Sequence, residues 1–147
     1  MSPPASPNMS VETTALELIA LAYDAALAPE KWQAFMERFA KAMGARSAGL
    51  REIDYNTEQV RLFETVGFDP AYVAAYRQHF VRLDTLAHFY RSVPIGTVKS
   101  GDEIVPWEVQ RKTEFGNDYM LAQNIRHMMG ALLARDENHH LLFGVPR

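Results

Sequence analysis

From about Glu12 to Leu27, apolar residues recur at helical spacing. Leu16, Ile19, Ala20, Tyr23 and Leu27 form one line, and Thr13 or Thr14 is placed to cap its start. Leu18, Leu21, Ala22 and Ala25 form a second line partly round the same helix, whose only charges after Glu12 are Glu17 and Asp24. A helix apolar round so much of its girth is expected to be buried on two sides. The first line is assigned to the core. The second is left for another subunit, as a candidate dimer interface.

Pro29 restarts the chain at a first helical position. Trp32, Phe35, Met36, Phe39 and Met43 share the apolar face of the helix it opens, Lys31, Glu37, Arg38 and Lys41 the wet one, and Gly44 ends it. The period then falls towards two. Gly49, Arg51, Ile53 and Tyr55 alternate with Ala48, Leu50, Glu52 and Asp54, and after Asn56-Thr57-Glu58 a second run alternates from Gln59 to Phe68. These runs predict an antiparallel hairpin.

Asp69-Pro70 supplies a cap and an N1 proline for a helix turning Val73, Tyr76, Phe80 and Leu83 inward. Asp84-Thr85 opens a short helix that Pro94 stops. Residues 95–105 read as loop, with at most a short strand near Thr97 to Lys99. Trp107 to Gln123 is broadly helical in two pieces, with Thr113 capping the second. Arg126 to Arg135 and His139 to Val145 form a closing hairpin around Asp136-Glu137-Asn138. Segregated hairpins with intervening helices predict an α+β fold, an antiparallel sheet covered by helices mainly on one face.

Composition bounds the function classes. The 147 residues fit one domain, and with 48% hydrophobic and 22% charged residues the chain is globular. Residues 1–11, with three prolines before Asn8 and no apolar anchor, are expected to be a disordered tail. Residues 12–147 are expected to be the folded domain. The absence of cysteine excludes disulfides, thiolate metal sites and a thiol nucleophile, and fits a cytoplasmic protein. With 15 basic against 18 acidic residues and no basic tract, no nucleic-acid binding by this chain is expected. No apolar run approaches the roughly 20 residues of a membrane span.

Several motifs carry a resemblance. Ala25-Ala26-Leu27-Ala28-Pro29-Glu30-Lys31-Trp32 is similar to the opening of the PAS/GAF-like sensor domains of LuxR-type helix-turn-helix transcriptional regulators. Gly67-Phe68-Asp69-Pro70 with Tyr72, Tyr76 and Asp84 resembles the same domains, as does Thr113 to Tyr119 leading to Ile125-Arg126-His127-Met128-Met129-Gly130. The likeness runs over residues 14–147, and its motifs are degenerate and mostly structural. It implies a PAS/GAF-like sensor that binds a small molecule, dimerises, and acts on DNA through a C-terminal helix-turn-helix that is not in this sequence.

Candidate chemistry is sparse. His139 and His140, adjacent on a strand, point to opposite faces and read as a solvated turn flank, not as ligands to one metal. Asp69 and Asp84 sit where caps belong. No nucleophile elbow, phosphate loop or His-Glu-Xaa-Xaa-His motif occurs, so no catalytic residue, cofactor or metal is assigned. Phe63, Tyr76, Phe89, Trp107, Phe115, Tyr119, Met120 and Met129 come from elements expected to face the covered side of the sheet. They form either a packed core or an apolar pocket, with tyrosine hydroxyls, the Trp107 N–H and His127 as polar handles. The alternatives to a sensor are a ligand-free dimerisation module and, more distantly, a small-molecule enzyme.

Overall fold

A computed structural model describes the backbone of residues 7–146, with side chains from residue 11 onward. Its frame is a five-stranded antiparallel sheet in the order β2-β1-β5-β4-β3. The strands are β1 (Ala48–Asp54), β2 (Val60–Val66), β3 (Val98–Ser100), β4 (Met128–Arg135) and β5 (His139–Pro146). Each predicted hairpin forms, and β1 and β5 join them side by side. In each turn an aspartate does the work of turn chemistry. The Asp54 carboxylate accepts from the Asn56 and Thr57 amides, and Asp136 from those of Asn138 and His139. The turns are tied together where Asn56 donates to the Asn138 side chain at 2.8 Å.

Both faces of the sheet are covered, not mainly one. On the first face, β1, β4 and β5 contribute Ile53, Leu132 and Leu142 to a core closed by residues 70–125. That segment holds α3 (Pro70–Gln78), α4 (Thr85–Phe89), the single turns α5 (Gly101–Ile104) and α6 (Trp107–Gln110), and a π-helical stretch, Phe115–Met120. Asp69 caps α3 through the Ala71 amide at 2.8 Å, and Asp84 caps α4 through that of Ala87 at 3.0 Å. The short strand expected near Thr97 to Lys99 forms as β3, and the rest of the predicted loop holds α5, because Ser100 and Glu103 form a capping box. Thr113 accepts from the Gly116 amide at 2.9 Å, as its predicted cap role requires. A Cβ on Gly116 would lie 1.8 Å from the Gln110 carbonyl, so only glycine lets the two pieces fold back this tightly.

The second face carries α2 (Trp32–Ala42), whose Met36 and Ala40 pack on Ala48, Leu50, Val66, Phe143 and Val145. Behind α2 lies α1 (Pro7–Leu27), which packs mainly on α2. It starts before Glu12 and takes in Pro7 to Val11, part of the expected tail; residues 1–6 of that tail lie outside the described residues.

The two apolar lines of α1 are exchanged relative to expectation. Leu16, Ile19, Tyr23 and Leu27, assigned to the core, are 68%, 52%, 72% and 90% exposed. Of the strip assigned to a dimer contact, Ala25 is fully buried and Leu18, Leu21 and Ala22 are half-buried, on the side that meets α2. The reason is steric. The small side chains Ala22 and Ala25 let the α1 backbone approach α2 closely, which a line carrying Tyr23 does not.

Candidate functional site

The residues closing the first face form an aromatic chamber over the sheet. Phe63 from β2 stacks on Tyr76 from α3, with ring centres 5.2 Å apart, and Phe115 stacks on Tyr119 within the π-helical stretch, also at 5.2 Å. Tyr76 and Tyr119 lie 5.6 Å apart and link the two pairs. The π-helical spacing places Phe115, Gly116, Tyr119 and Met120 together on the buried side.

Inside this shell sits an ion pair. Arg51 of β1 donates to the Asp84 carboxylate at 3.3 Å, and the Tyr76 hydroxyl donates to the same oxygen at 2.7 Å. The other Asp84 oxygen is the one that caps α4. The guanidinium also lies 5.6 Å from the centre of the Tyr76 ring. Burial by itself lowers the Arg51 pKa, but Tyr76 and Asp84 outweigh it and the net shift is upward, so the guanidinium stays charged. Burial pushes the Tyr119 hydroxyl up to about 12, and drives Tyr76 well above its ordinary value against the opposing pull of Arg51. Both are therefore neutral donors. The Nε of Arg51 and the hydroxyl of Tyr90 are buried without a hydrogen-bond partner among the described residues.

A cavity of about 20 Å³, room for about one water, lies between Arg51, Asp84 and the aromatic shell. Of the residues predicted to form a pocket, Phe63, Tyr76, Phe115, Tyr119 and Met120 line it. Phe89 and Trp107 pack against the surrounding core without reaching it. Met129 and His127 are corrections. Met128, not Met129, turns inward on β4, so Met129 falls on the second face and is 41% exposed. The His127 side chain is 68% exposed, 3.4 Å from Asp102 at the surface.

Arg51 and the second role of Asp84 are what sequence reasoning missed. The signal was present for Arg51, which shares the alternating phase of Gly49 and Ile53, an inward position for a cation. Asp84 gave no such signal, because a cap explains it fully and its free oxygen is a tertiary matter. His140 is a further correction. It is 1% exposed, not solvated, and packs edge-on to Tyr55 at 4.6 Å. Both its ring nitrogens lack partners among the described residues, and burial, then Arg51, Arg91 and His88, lower its pKa to about 3. His139, on the opposite face as expected, pairs with Asp54 and Asp136.

The second face carries a larger opening, a wholly apolar groove of about 400 Å³ beside α2. Trp32, Phe35 and Phe39 form one wall, and Val98, Met129, Ala131 and Leu133 of the sheet the other.

No protein-family model matches the chain, and no curated protein matches it in sequence. Solved structures do share its fold. The ligand-binding domain of VqsR from Pseudomonas aeruginosa superposes with a TM-score of 0.66 at 12% identity, over 93% of this chain and 79% of that one. CepR2 from Burkholderia cenocepacia, an N-acylhomoserine-lactone-dependent LuxR-family transcription factor, superposes with a TM-score of 0.63 at 13% identity, over 92% and 79%. Among the described residues no helix is long and apolar enough to cross a membrane.

Proposed function

We propose that this chain is the small-molecule-sensing domain of a LuxR-type transcriptional regulator. The observation that carries the reading is the aromatic chamber closed over a buried Arg51–Asp84–Tyr76 network. Its support from comparison is the fold shared with the ligand-binding domains of two regulators. A ligand preferring the closed arrangement of residues 70–125 biases the domain towards it, and the bias passes to an output domain through subunit contacts. The contact surface on this reading is the exposed line Leu16, Ile19, Tyr23 and Leu27 of α1, in place of the strip that meets α2. DNA binding belongs to a separate part of the regulator, and the reading requires no bond-making step.

The test is to purify the protein, unfold it in organic solvent and identify released small molecules by mass spectrometry. A compound bound near one per chain, and lost from Tyr119→Ala, is the expected result. Protein carrying no compound, and not stabilised by any member of a broad metabolite set, overturns the reading. A ligand-free dimerisation module is the second reading, favoured by the apolar line on α1 and the open groove beside it. It predicts a stable dimer by light scattering with no dependence on any compound.

A further inference from the structure

Three glycines stand in register across the middle of the sheet. Gly49 of β1 pairs with Gly144 of β5, which pairs in turn with Gly130 of β4. Directly paired residues point to the same face, and here that face is the chamber's. A Cβ on Gly49 would touch Phe63 and Phe68, one on Gly144 would lie 3.2 Å from the Arg51 guanidinium, and one on Gly130 would lie 2.8 Å from the Tyr90 hydroxyl. With strands spaced about 4.8 Å apart, the row leaves a strip about 10 Å long with no side chains of its own, against which Phe63, Phe68, Arg51 and Tyr90 are seated.

Two buried donors lie over this strip: the Nε of Arg51, a side chain 7% exposed whose other end is taken by Asp84, and the hydroxyl of Tyr90, 3% exposed, which the Lys99 amide approaches but which donates to nothing among the described residues. A second cavity of about 20 Å³ opens on the Tyr90 side, lined by Gly130 and Gly144. Arg51, Met128 and Gly144 border both cavities, so the Arg51 and Met128 side chains are what divides one trough into two. Met128 is unbranched and adaptable, so this part of the partition is one that a ligand can push aside.

We propose, resting on the sensor reading, that the glycine row is the floor of the ligand site. It takes a flat, uncharged ring system of about two fused rings with a carbonyl oxygen on its edge, to which Arg51 and Tyr90 donate. Flatness follows from a floor without side chains beneath stacked aromatic rings. The acceptor follows from donors left without partners, which cost free energy until an oxygen meets them. Lack of charge follows from the Arg51–Asp84 pair: it is already neutral, and an added carboxylate leaves one net charge in a desolvated site.

The experiment follows backbone amide signals of the ¹⁵N-labelled protein during titration with three probes. Coumarin is flat, neutral and carries a ring carbonyl, naphthalene has the same outline without an acceptor, and 2-naphthoate adds a charge. Coumarin is expected to move the Gly49, Gly130 and Gly144 signals saturably and to bind more tightly than either other probe. Arg51→Met weakens coumarin binding by about tenfold, the loss of one charge-assisted hydrogen bond. Tyr90→Phe, which removes a single oxygen, weakens it by about threefold and covers the case in which Arg51→Met does not fold. The proposal is overturned if naphthalene or 2-naphthoate moves the glycines as strongly, or if coumarin leaves all three unmoved and only ordered water fills the trough. Shifts at Phe115 and Tyr119 without the glycines, or a co-purified compound of other chemistry, sink the trough while leaving the sensor reading intact.

Discussion

The two faces of the sheet solve different problems. On the first, polar groups are carried deep into the fold and most are satisfied there: one carboxylate holds an arginine, a tyrosine and a helix end. On the second, the core is purely apolar, and a groove of about 400 Å³ and the apolar line Leu16, Ile19, Tyr23 and Leu27 of α1 are left in the open. A surface that apolar marks contact with something else, whereas a buried ion pair costs desolvation that packing alone never requires. The first face has the character of a recognition site and the second that of a docking surface.

The contrast is broken most directly at Asp84. Asp84→Ala leaves Arg51 charged and unpaired and uncaps α4, and is expected to cost about 3–5 kcal/mol in urea denaturation. Adding Arg51→Met should recover part of that loss, since the stranded cation goes with it. If Asp84→Ala costs no more than a surface substitution, the polar network is ornamental and the two faces are alike.

Acid comes next. His140 has a folded pKa of about 3, below its ordinary value of 6.5. As pH falls through this window the unfolded chain takes up a proton that the folded chain refuses, so stability is lost between about pH 6.5 and 3, by at most roughly 5 kcal/mol. His140→Leu should flatten that part of the pH–stability curve relative to the unmodified protein; an unchanged slope refutes the assignment.

Smaller effects are expected on the second face. Ala131 lines the groove, so Ala131→Leu has room and should change stability by less than about 1 kcal/mol, short of the roughly 1–3 kcal/mol typical of overpacking. A larger loss places Ala131 in a packed core after all. Ile19→Glu, on the exposed line of α1, should alter monomer stability by no more than about 0.5 kcal/mol. Its effect should appear in the mass measured by light scattering at tens of micromolar, shifted towards one chain. An unchanged mass removes that line from any subunit contact.

Local chemistry was legible in the sequence wherever one residue type has one cause. Asp69-Pro70, Asp84 and Thr113 cap the helices they were expected to cap, and both hairpins turn at the predicted aspartate- and asparagine-rich triplets. Choices between faces were not legible. The apolar lines of α1 differ by little in hydrophobicity, and Ala22 and Ala25 win the inner side by being small. On β4 a shift of one residue sends Met128 in and Met129 out, and periodicity gives no sign of where a strand starts counting. Five of the nine predicted pocket residues line the cavity, because large apolar side chains on buried elements converge with little further information. The Arg51–Asp84 pair beside them needed a tertiary contact thirty-three residues apart.

One strand bears on how this sequence can drift over generations. From Ala48 to Arg51 each residue of β1 is buried, two facing the docking side and two the chamber. Most strands of an antiparallel sheet keep a wet face on which substitutions accumulate without consequence. β1 has none along this stretch, so every replacement there is tested by one core or the other. On the proposed sensor reading, variation that retunes the ligand enters through Phe63, Phe115 or Tyr119, and leaves this strand alone.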